Sequence, residues 1–413
     1  MKLNNLKKLV LSAAVGLVGF TGMFGTAEAV NKLGFTDEEL AYMPAVKQIE
    51  LFKKGDLAPI DVLEAQIRRV EKYNGPIKPE GEVLEDYLGF NGKVNALSFE
   101  KFADARNAAK NSEARYKNGT ARAMEGITVG VKNENQVAGW RVDSGTILMK
   151  DAPLCEEDCA IIENLKNAGA VLVFSTNVPE FYISSMTWSK LYGVTRNPWN
   201  LYYGTGGSSG GSGAALAAGF CTVATGSDMG GSIRIPSSMC GVYGIKSPFG
   251  RVPTTGICYE TLGPMAKNFD DLVLMQNVLA GPSPKVHSSL RPKLNYPKKY
   301  ESLKGTKVAV CYFNDWISDG LDKDTVAIMD NTVEILRKAG AQVDVVTAPG
   351  WTTENGNLEI FMLGLMSTEM YELIDATEGA DPELLTPYAR KMYSATKNKN
   401  CDSPFLLALP DRL

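Results

Sequence analysis

Gly206-Gly207-Ser208-Ser209-Gly210-Gly211-Ser212-Gly213, followed by Gly230-Gly231-Ser232-Ile233-Arg234-Ile235-Pro236, is the stretch on which the reading of this chain turns. The two clusters of glycine and serine are separated by the apolar run 214–225. Glycine at this density costs backbone entropy on folding, so it marks places where backbone must approach something closely, a ligand being the first candidate. A serine in such a loop acts as a nucleophile when a base activates it. The chain holds a single histidine, His287, and that scarcity limits which base is available.

Gly206-Gly207-Ser208-Ser209-Gly210 satisfies Gly-x-Ser-x-Gly, the nucleophile elbow of α/β-hydrolases, with His287 downstream. The elbow needs a buried strand immediately before it, whereas Asn197-Pro198-Trp199-Asn200-Leu201-Tyr202-Tyr203 is interrupted by proline and polar groups. His287 falls in the Pro/Lys-rich segment 281–300, which reads as a surface excursion. A phosphate-binding loop fails too, because no lysine follows the glycines and the Gly-x-Gly-x-x-Gly spacing is absent. Lysine is then the substitute base: buried against apolar walls it loses its charged form, and the neutral amine accepts protons. Lys132 fits this role by position, since it ends the apolar strand Ile127–Val131.

Working outward from that strand, the pattern alternates. Ile127–Val131, Ala170–Phe174, Lys307–Cys311 and Gln342–Thr347 read as strands, and Cys159–Ala168 and Lys323–Ala339 as helices. Such alternation predicts a sheet covered by helices on both faces, an α/β/α sandwich. Upstream, Thr36-Asp37-Glu38-Glu39 is a capping box opening an amphipathic helix to about Lys54. Pro59 begins a second helix carrying Val62, Leu63, Ile67 and Val70 towards a core; residues 75–92 read as a loop and 99–117 as a polar helix.

With 413 residues, 44% of them hydrophobic and 22% charged, the chain suits one large globular domain or two ordinary ones. A net charge of −4 offers no basic excess to neutralise phosphates, which argues against nucleic acid as a partner. Residues 1–29 are expected to be a signal peptide, with Lys2, Lys7 and Lys8 ahead of the apolar run Leu9–Gly25 and Ala27-Glu28-Ala29 as the cleavage pattern. Export to the periplasm or the exterior follows, with 30–413 as the folded part and no stable membrane anchor after cleavage. Of the seven cysteines, Cys155 and Cys159 could bridge if their segment is not fully helical, while Cys221, Cys240, Cys258 and Cys311 sit in apolar surroundings. One histidine and no Cys-x-x-Cys pair leave no zinc ligand set, so neither metal nor cofactor is expected.

The segment 206–236 resembles the defining motif of the amidase signature family of serine hydrolases. The likeness runs through Gly-Gly-Ser-Ser-Gly-Gly-Ser, Ala217-Ala218-Gly219, Gly226-Ser227-Asp228 and Gly230-Gly231-Ser232-Ile233-Arg234-x-Pro236. It extends to Ala123–Gly139, Thr176-Asn177-Val178-Pro179-Glu180, Asn197-Pro198-Trp199 and Leu262-Gly263-Pro264-Met265-Ala266. Bacterial amidases look nearest, with some similarity to fatty acid amide hydrolases. The resemblance implies an α/β/α sandwich with a mixed central sheet and a Ser–Ser–Lys triad. In that triad Ser232 is the nucleophile, Ser208 the bridging hydroxyl after a cis peptide bond, and Lys132 the neutral base. Backbone N–H groups of Met229, Gly230, Gly231 and Ser232 would form the oxyanion hole, Ser209 would support the relay, and Asp228 and Arg234 would brace the loop. The implied substrate is a small-molecule carboxylic amide, hydrolysed through an acyl-enzyme to acid and amine or ammonia.

The chain departs from the family at three places. Asn133 stands where aspartate is common, and Lys246-Ser247-Pro248 replaces Lys-Pro-Thr. The chain also stops at Leu413, where family members continue into a Gly/Pro-rich segment, so the C-terminal part is expected to be missing. That keeps open a rival reading as a catalytically inactive amidase-like binding protein or a truncated fragment. A glutamine-hydrolysing component of a transamidation complex, the family's other main role, conflicts with export. Seven aromatics from Phe181 to Tyr203 either line an apolar acyl pocket or pack an ordinary core.

Overall fold

The computed structural model describes residues 33–77, 88–255, 260–312, 320–346 and 379–398. The expected signal peptide at 1–29, Cys258 and the chain end at Leu413 lie outside the described residues.

Thr36 caps α1 (Asp37–Tyr42) through the predicted box: its hydroxyl accepts the Glu39 N–H while the Glu39 carboxylate accepts the Thr36 N–H. The predicted single helix to Lys54 is interrupted at Pro44, which lacks an N–H and clashes with the preceding turn. A second helix, α2 (Ala45–Lys54), begins there. Next comes α3 (Pro59–Tyr73), with its proline at the first helical position. The predicted helix 99–117 is shorter than expected, because Leu97–Glu100 forms strand β1 and α4 (Phe102–Lys117) starts after it.

The alternation then proceeds as predicted through β2 (Thr128–Lys132), α5 (Ala160–Asn167) and β3 (Val171–Thr176). Two small antiparallel pairs follow, β4 (Trp188–Ser189) with β5 (Gly193–Val194) and β6 (Arg196–Asn197) with β7 (Asn200–Gly204). The central layer is completed by α6 (Gly210–Ala217), β8 (Val223–Asp228), α7 (Arg234–Cys240), β9 (Tyr243–Gly244), β10 (Thr261–Ala266) and α8 (Phe269–Leu279).

Six strands form one sheet in the order β1-β3-β2-β8-β10-β9. β2 runs parallel to both of its neighbours, β3 and β8, whereas the β1–β3, β8–β10 and β10–β9 pairs are antiparallel. Strand alternation, interrupted by the register shift between β2 and β3 that leaves the consecutive Val173 and Phe174 in one cluster, decides which side chains go to which face. Val129, Val131 and Val223 join Phe52 of α2, Ile161 and Leu165 of α5, and Leu272 and Met275 of α8. Val173, Phe174 and Ala224 join Leu63 and Ile67 of α3, Ala105 and Ala109 of α4, and Ala214 of α6. Both faces are therefore covered, each large apolar side chain contributing about 1.5–3 kcal/mol on burial. The fold is an α/β/α sandwich with a mixed central sheet.

The later strand–helix–strand unit does not extend this sheet among the described residues. β11 (Lys307–Val310) and β12 (Gln342–Val345) pair parallel with each other, and α9 (Lys323–Lys338) closes a small cluster of Val333, Ala341 and Val343. A last helix, α10 (Pro387–Asn398), brings Ala389, together with the preceding Leu385, against Phe181. Cys155, Cys159, Cys221, Cys240 and Cys311 are free thiols, so the conceivable Cys155–Cys159 bridge is not made. Among the described residues no helix is long and apolar enough to cross a membrane.

Candidate active site

Lys132 is the last residue of β2 and is fully buried. Its backbone N–H donates to Thr225 Oγ1 on the adjacent parallel strand β8, at 2.9 Å. The site thus opens at the carboxyl ends of two parallel strands, where open α/β sheets hold their ligands. Lys132 Nζ donates to Ser208 Oγ at 2.8 Å and to Ser227 Oγ at 2.7 Å, and it lies 2.8 Å from Glu134 Oε2. Three partners use all three N–H groups of an ammonium. The ring of Tyr182 lies 5.3 Å from the same nitrogen.

Ser208 is buried and follows a cis Gly207–Ser208 peptide bond. The strand preceding it, β7, belongs to a half-exposed two-stranded ribbon outside the main sheet, and His287 is exposed in the 281–300 excursion. The elbow geometry that Gly-x-Ser-x-Gly suggested is therefore absent from this segment. The glycines after Ser208 serve packing rather than ligand approach. A Cβ on Gly211 would lie 2.4 Å from Asn177 N and 2.5 Å from Asn177 O, because the start of α6 rests directly on that backbone.

Ser232 sits on the turn between β8 and α7, and the buried carboxylate of Asp228 shapes that turn. Asp228 accepts the N–H groups of Gly231 at 2.8 Å and of Ile233 and Arg234 at 3.2 Å, together with Nε and Nη2 of Arg234 at 2.9 Å. Burial pushes the Asp228 carboxyl up, but the Arg234 guanidinium and the amide donors outweigh it and hold the acid below its ordinary range. Asp228 and Arg234 therefore brace the loop. The same contact spends the Gly231 N–H, one of four expected oxyanion donors, and leaves Met229, Gly230 and Ser232. Gly231 itself has φ +117°, a conformation that suits glycine, and a Cβ there would meet Ile235 at 2.7 Å. The Ser209 N–H donates to the Ser232 carbonyl at 3.0 Å, and the Ser209 hydroxyl lies 3.4 Å from both the N and the O of Ser227. Among the described residues no side-chain hydrogen bond joins Ser208 to Ser232, so Ser209 supplies the link between the two serine loops.

Sequence reasoning missed several residues that gather at Lys132. Ser227 lay inside Gly226-Ser227-Asp228 without an assigned role, and Glu134 stands only two positions after the lysine. Glu134 accepts the Ser227 hydroxyl at 2.6 Å and also hydrogen-bonds Glu260. Burial raises the Glu134 carboxyl, while the Lys132 charge and the bonds from Glu260 and Ser227 bring it below its ordinary value. Asn133, the departure from the family pattern, donates through Nδ2 to Asp143 Oδ2 at 3.3 Å and accepts the Asp143 N–H at 3.1 Å. Burial pushes Asp143 up to about 6 despite hydrogen bonds from Tyr192, Gly145 and Asn133. An amide at 133 suits that neighbour, where a second carboxylate would repel it.

The seven aromatics divide between roles. Phe181 and Tyr182 both have left-handed backbone, φ +53° and +64°, which sets the Tyr182 ring over Lys132 and its hydroxyl 3.0 Å from both Asn133 O and Ser144 Oγ. Tyr192 bonds Asp143, and Trp188 packs edge-on against Tyr388. Trp199, Tyr202 and Tyr203 are exposed at 75%, 81% and 66%, so neither a single pocket nor a single core accounts for the set.

A family model described as Amidase matches residues 82–403. A glutamyl-tRNA(Gln) amidotransferase subunit of Sulfurisphaera tokodaii is 39% identical over 228 residues, which is 54% of this chain and 47% of that protein. The corresponding subunit of Carboxydothermus hydrogenoformans is 31% identical over 320 residues, 75% of this chain and 62% of that protein. The chain thus spans roughly half the length of these curated relatives. Among solved structures, a bacterial aryl acylamidase of the amidase signature family superposes with a TM-score of 0.75 over 89% of this chain and 74% of that one, at 24% identity, a likeness of fold. An inhibitor-bound vestigial protein complex, described as revealing the origins of an s-triazine catabolic enzyme, gives a TM-score of 0.72 at 26% identity over 88% of this chain and 75% of that chain. Since the matched region takes in the strand ending in Lys132 and both glycine–serine turns, the chain belongs to the amidase signature family.

Proposed function

We propose that the protein is an amidase, hydrolysing a small carboxylic amide to carboxylate and amine or ammonia through an acyl-enzyme on Ser232. The observation that carries this reading is the contact of a fully buried Lys132 Nζ with Ser208 Oγ at 2.8 Å, beside a turn that presents Ser232. In its neutral form Lys132 takes the Ser208 proton as Ser208 takes that of Ser232, and Ser232 Oγ attacks the amide carbon. Charge developing on the carbonyl oxygen is met by the N–H groups of Met229, Gly230 and Ser232, preorganised by Asp228. Reversing the relay delivers the proton to the departing nitrogen, and water cleaves the acyl-enzyme by the same route.

A second reading draws on the relatives named as amidotransferase subunits, in which the chain would release ammonia within a protein complex. We favour the free amidase because residues 1–29 have the features of an export signal, which would deliver the enzyme to the periplasm or beyond. Labelling with a fluorophosphonate probe, followed by peptide mapping, tests the site: Ser232 is the expected adduct, lost in Ser232→Ala. A panel of short, long-chain and aryl amides with glutamine alongside then identifies the substrate class. Absence of both labelling and turnover would support the inactive binding protein instead. An N-terminus beginning at Val30 in protein recovered outside the cytoplasm is the result expected for export.

A further inference from the structure

Tyr182 reaches over Lys132 through left-handed backbone at two successive residues, Phe181 and Tyr182. Residues other than glycine keep such a conformation only where the surroundings hold it. What holds it comes from far along the chain. Thr386, the residue before α10, donates its N–H to Glu180 Oε2 at 2.7 Å and its hydroxyl to the same oxygen at 2.6 Å, across 206 positions of sequence. Glu180 Oε1 accepts the Thr146 hydroxyl at 2.7 Å, so the buried carboxylate is engaged at both oxygens. The backbone is gripped as well: the Glu180 N–H donates to Tyr388 Oη at 2.7 Å, and Tyr388 Oη donates to the Trp188 carbonyl at 2.9 Å. The Phe181 N–H donates to the Ser144 carbonyl at 2.8 Å, and its side chain packs with Leu385 and Ala389. The Tyr182 hydroxyl then lies 3.0 Å from the carbonyl of Asn133, the residue after the lysine. A continuous set of contacts runs from α10 through Glu180 to the end of β2.

We infer that Thr386 and Tyr388 are positioning residues for the hydrolysis: they clamp Glu180 and so set Tyr182 against the lysine of the Lys132–Ser208 contact. The inference rests on the proposed hydrolysis at Ser232. Among the described residues neither side chain hydrogen-bonds Lys132, Ser208 or Ser232, so their effect passes through residues 180–182. Reacting groups displaced by a fraction of a bond length lose rate steeply, and loosening the clamp therefore slows the chemical step rather than substrate binding. The fold also supplies a control. Lys190 Nζ donates to the Glu383 carbonyl at 2.6 Å, a tie to the same C-terminal segment that bypasses Glu180.

The test measures kcat and KM on an aryl amide, and the rate of fluorophosphonate labelling at Ser232, at a temperature where thermal unfolding shows each protein folded. Thr386→Val keeps the shape and the backbone N–H but loses the hydroxyl. It is expected to lower kcat and the labelling rate about ten- to a hundredfold, with KM within about twofold of wild type. Tyr388→Phe, which removes the acceptor of the Glu180 N–H, is expected to act in the same direction and decides the matter should the valine variant not fold. Thr386→Ser restores the hydroxyl and should recover most of the rate, while Lys190→Met should react as wild type does. Variants that melt earlier yet keep the wild-type rates would overturn the inference, as would a loss in Lys190→Met equal to that in Thr386→Val, since α10 would then be a general brace. Failure of wild-type Ser232 to label at all would instead overturn the amidase reading, and the inference with it.

Discussion

Replacing Asp228 by alanine removes the acceptor around which the Ser232 turn is built. Five hydrogen bonds converge on that carboxylate, three from backbone N–H groups and two from Arg234. The guanidinium side chain is 57% exposed, so water replaces most of what it loses and its pairing counts for little. Gly231 and Ile233 are buried, and each of their N–H groups left without a partner costs about 1–3 kcal/mol. The sum is about 2–6 kcal/mol. A loss of about 4 kcal/mol corresponds to a fall in melting temperature of about 5 °C for a domain of this size. Urea and thermal unfolding of the two proteins measure it, with Ser232 labelling as the functional readout. The sign with pH is also determined: the folded acid is held below its unfolded value, so the stabilisation is fully present above the unfolded pKa of about 3.9. The gap between wild type and variant should stay constant from neutral pH down to about 5 and close as the pH falls through the folded value. A variant that melts with wild type and labels at the same rate would refute the assignment of Asp228 as the clamp.

Asn133→Asp sets a second carboxylate against Asp143, already raised to about 6 by burial. Because an acid with a raised folded pKa destabilises most when ionised, the variant should lose about 1–3 kcal/mol at pH 8 and recover as pH falls below 6; equal deficits in urea unfolding at pH 8 and 5.5 would count against it. Gly211→Ala forces a Cβ to within 2.4 Å of Asn177 N, and the overpacking should cost about 1–3 kcal/mol by thermal unfolding and slow Ser232 labelling through the displaced start of α6. His287→Ala, on the exposed excursion, is expected to alter stability by less than about 0.5 kcal/mol and to leave amide turnover untouched. A large loss of rate there would revive a histidine-based mechanism.

Much of the frame was legible because strong local signals agreed with the global packing. The Thr36 box, the strand ending at Lys132 and the α5–β3 alternation all carry periodicity or capping chemistry that tertiary contacts reinforce. Leu97–Glu100 escaped because four residues running into a helical pattern carry too little alternation to read as a strand. The strand–helix–strand unit of β11, α9 and β12 was recognised, but local pattern cannot say which sheet a strand joins. At the site, position made Lys132 a candidate base, and the resemblance to the family, not local pattern, assigned roles to it and to the two serine turns. Glu134, Ser227 and Tyr182 were not legible, since their convergence depends on the turn after β2, the register of β2 against β8 and two left-handed residues at 181–182. The glycines of 206–213 show the opposite error. Their density was noticed, but Gly211 answers to the crossing of two backbone segments rather than to a ligand.

The placement of Lys132 on β2, flanked by β3 and β8 in the middle of the sheet, has a consequence for how the protein fails. Edge strands and surface hairpins open with small local free energies, whereas a central strand exchanges its amides only when the whole domain opens. The Lys132 amide, bonded to Thr225 Oγ1 beneath the site, should belong to the most slowly exchanging class. Fraying at β1 or β9, or proteolytic nicking of the exposed 281–300 excursion, would then leave the lysine and serine loops assembled. Loss of chemistry and loss of fold become one event, and the rim can vary in sequence without the centre registering the change.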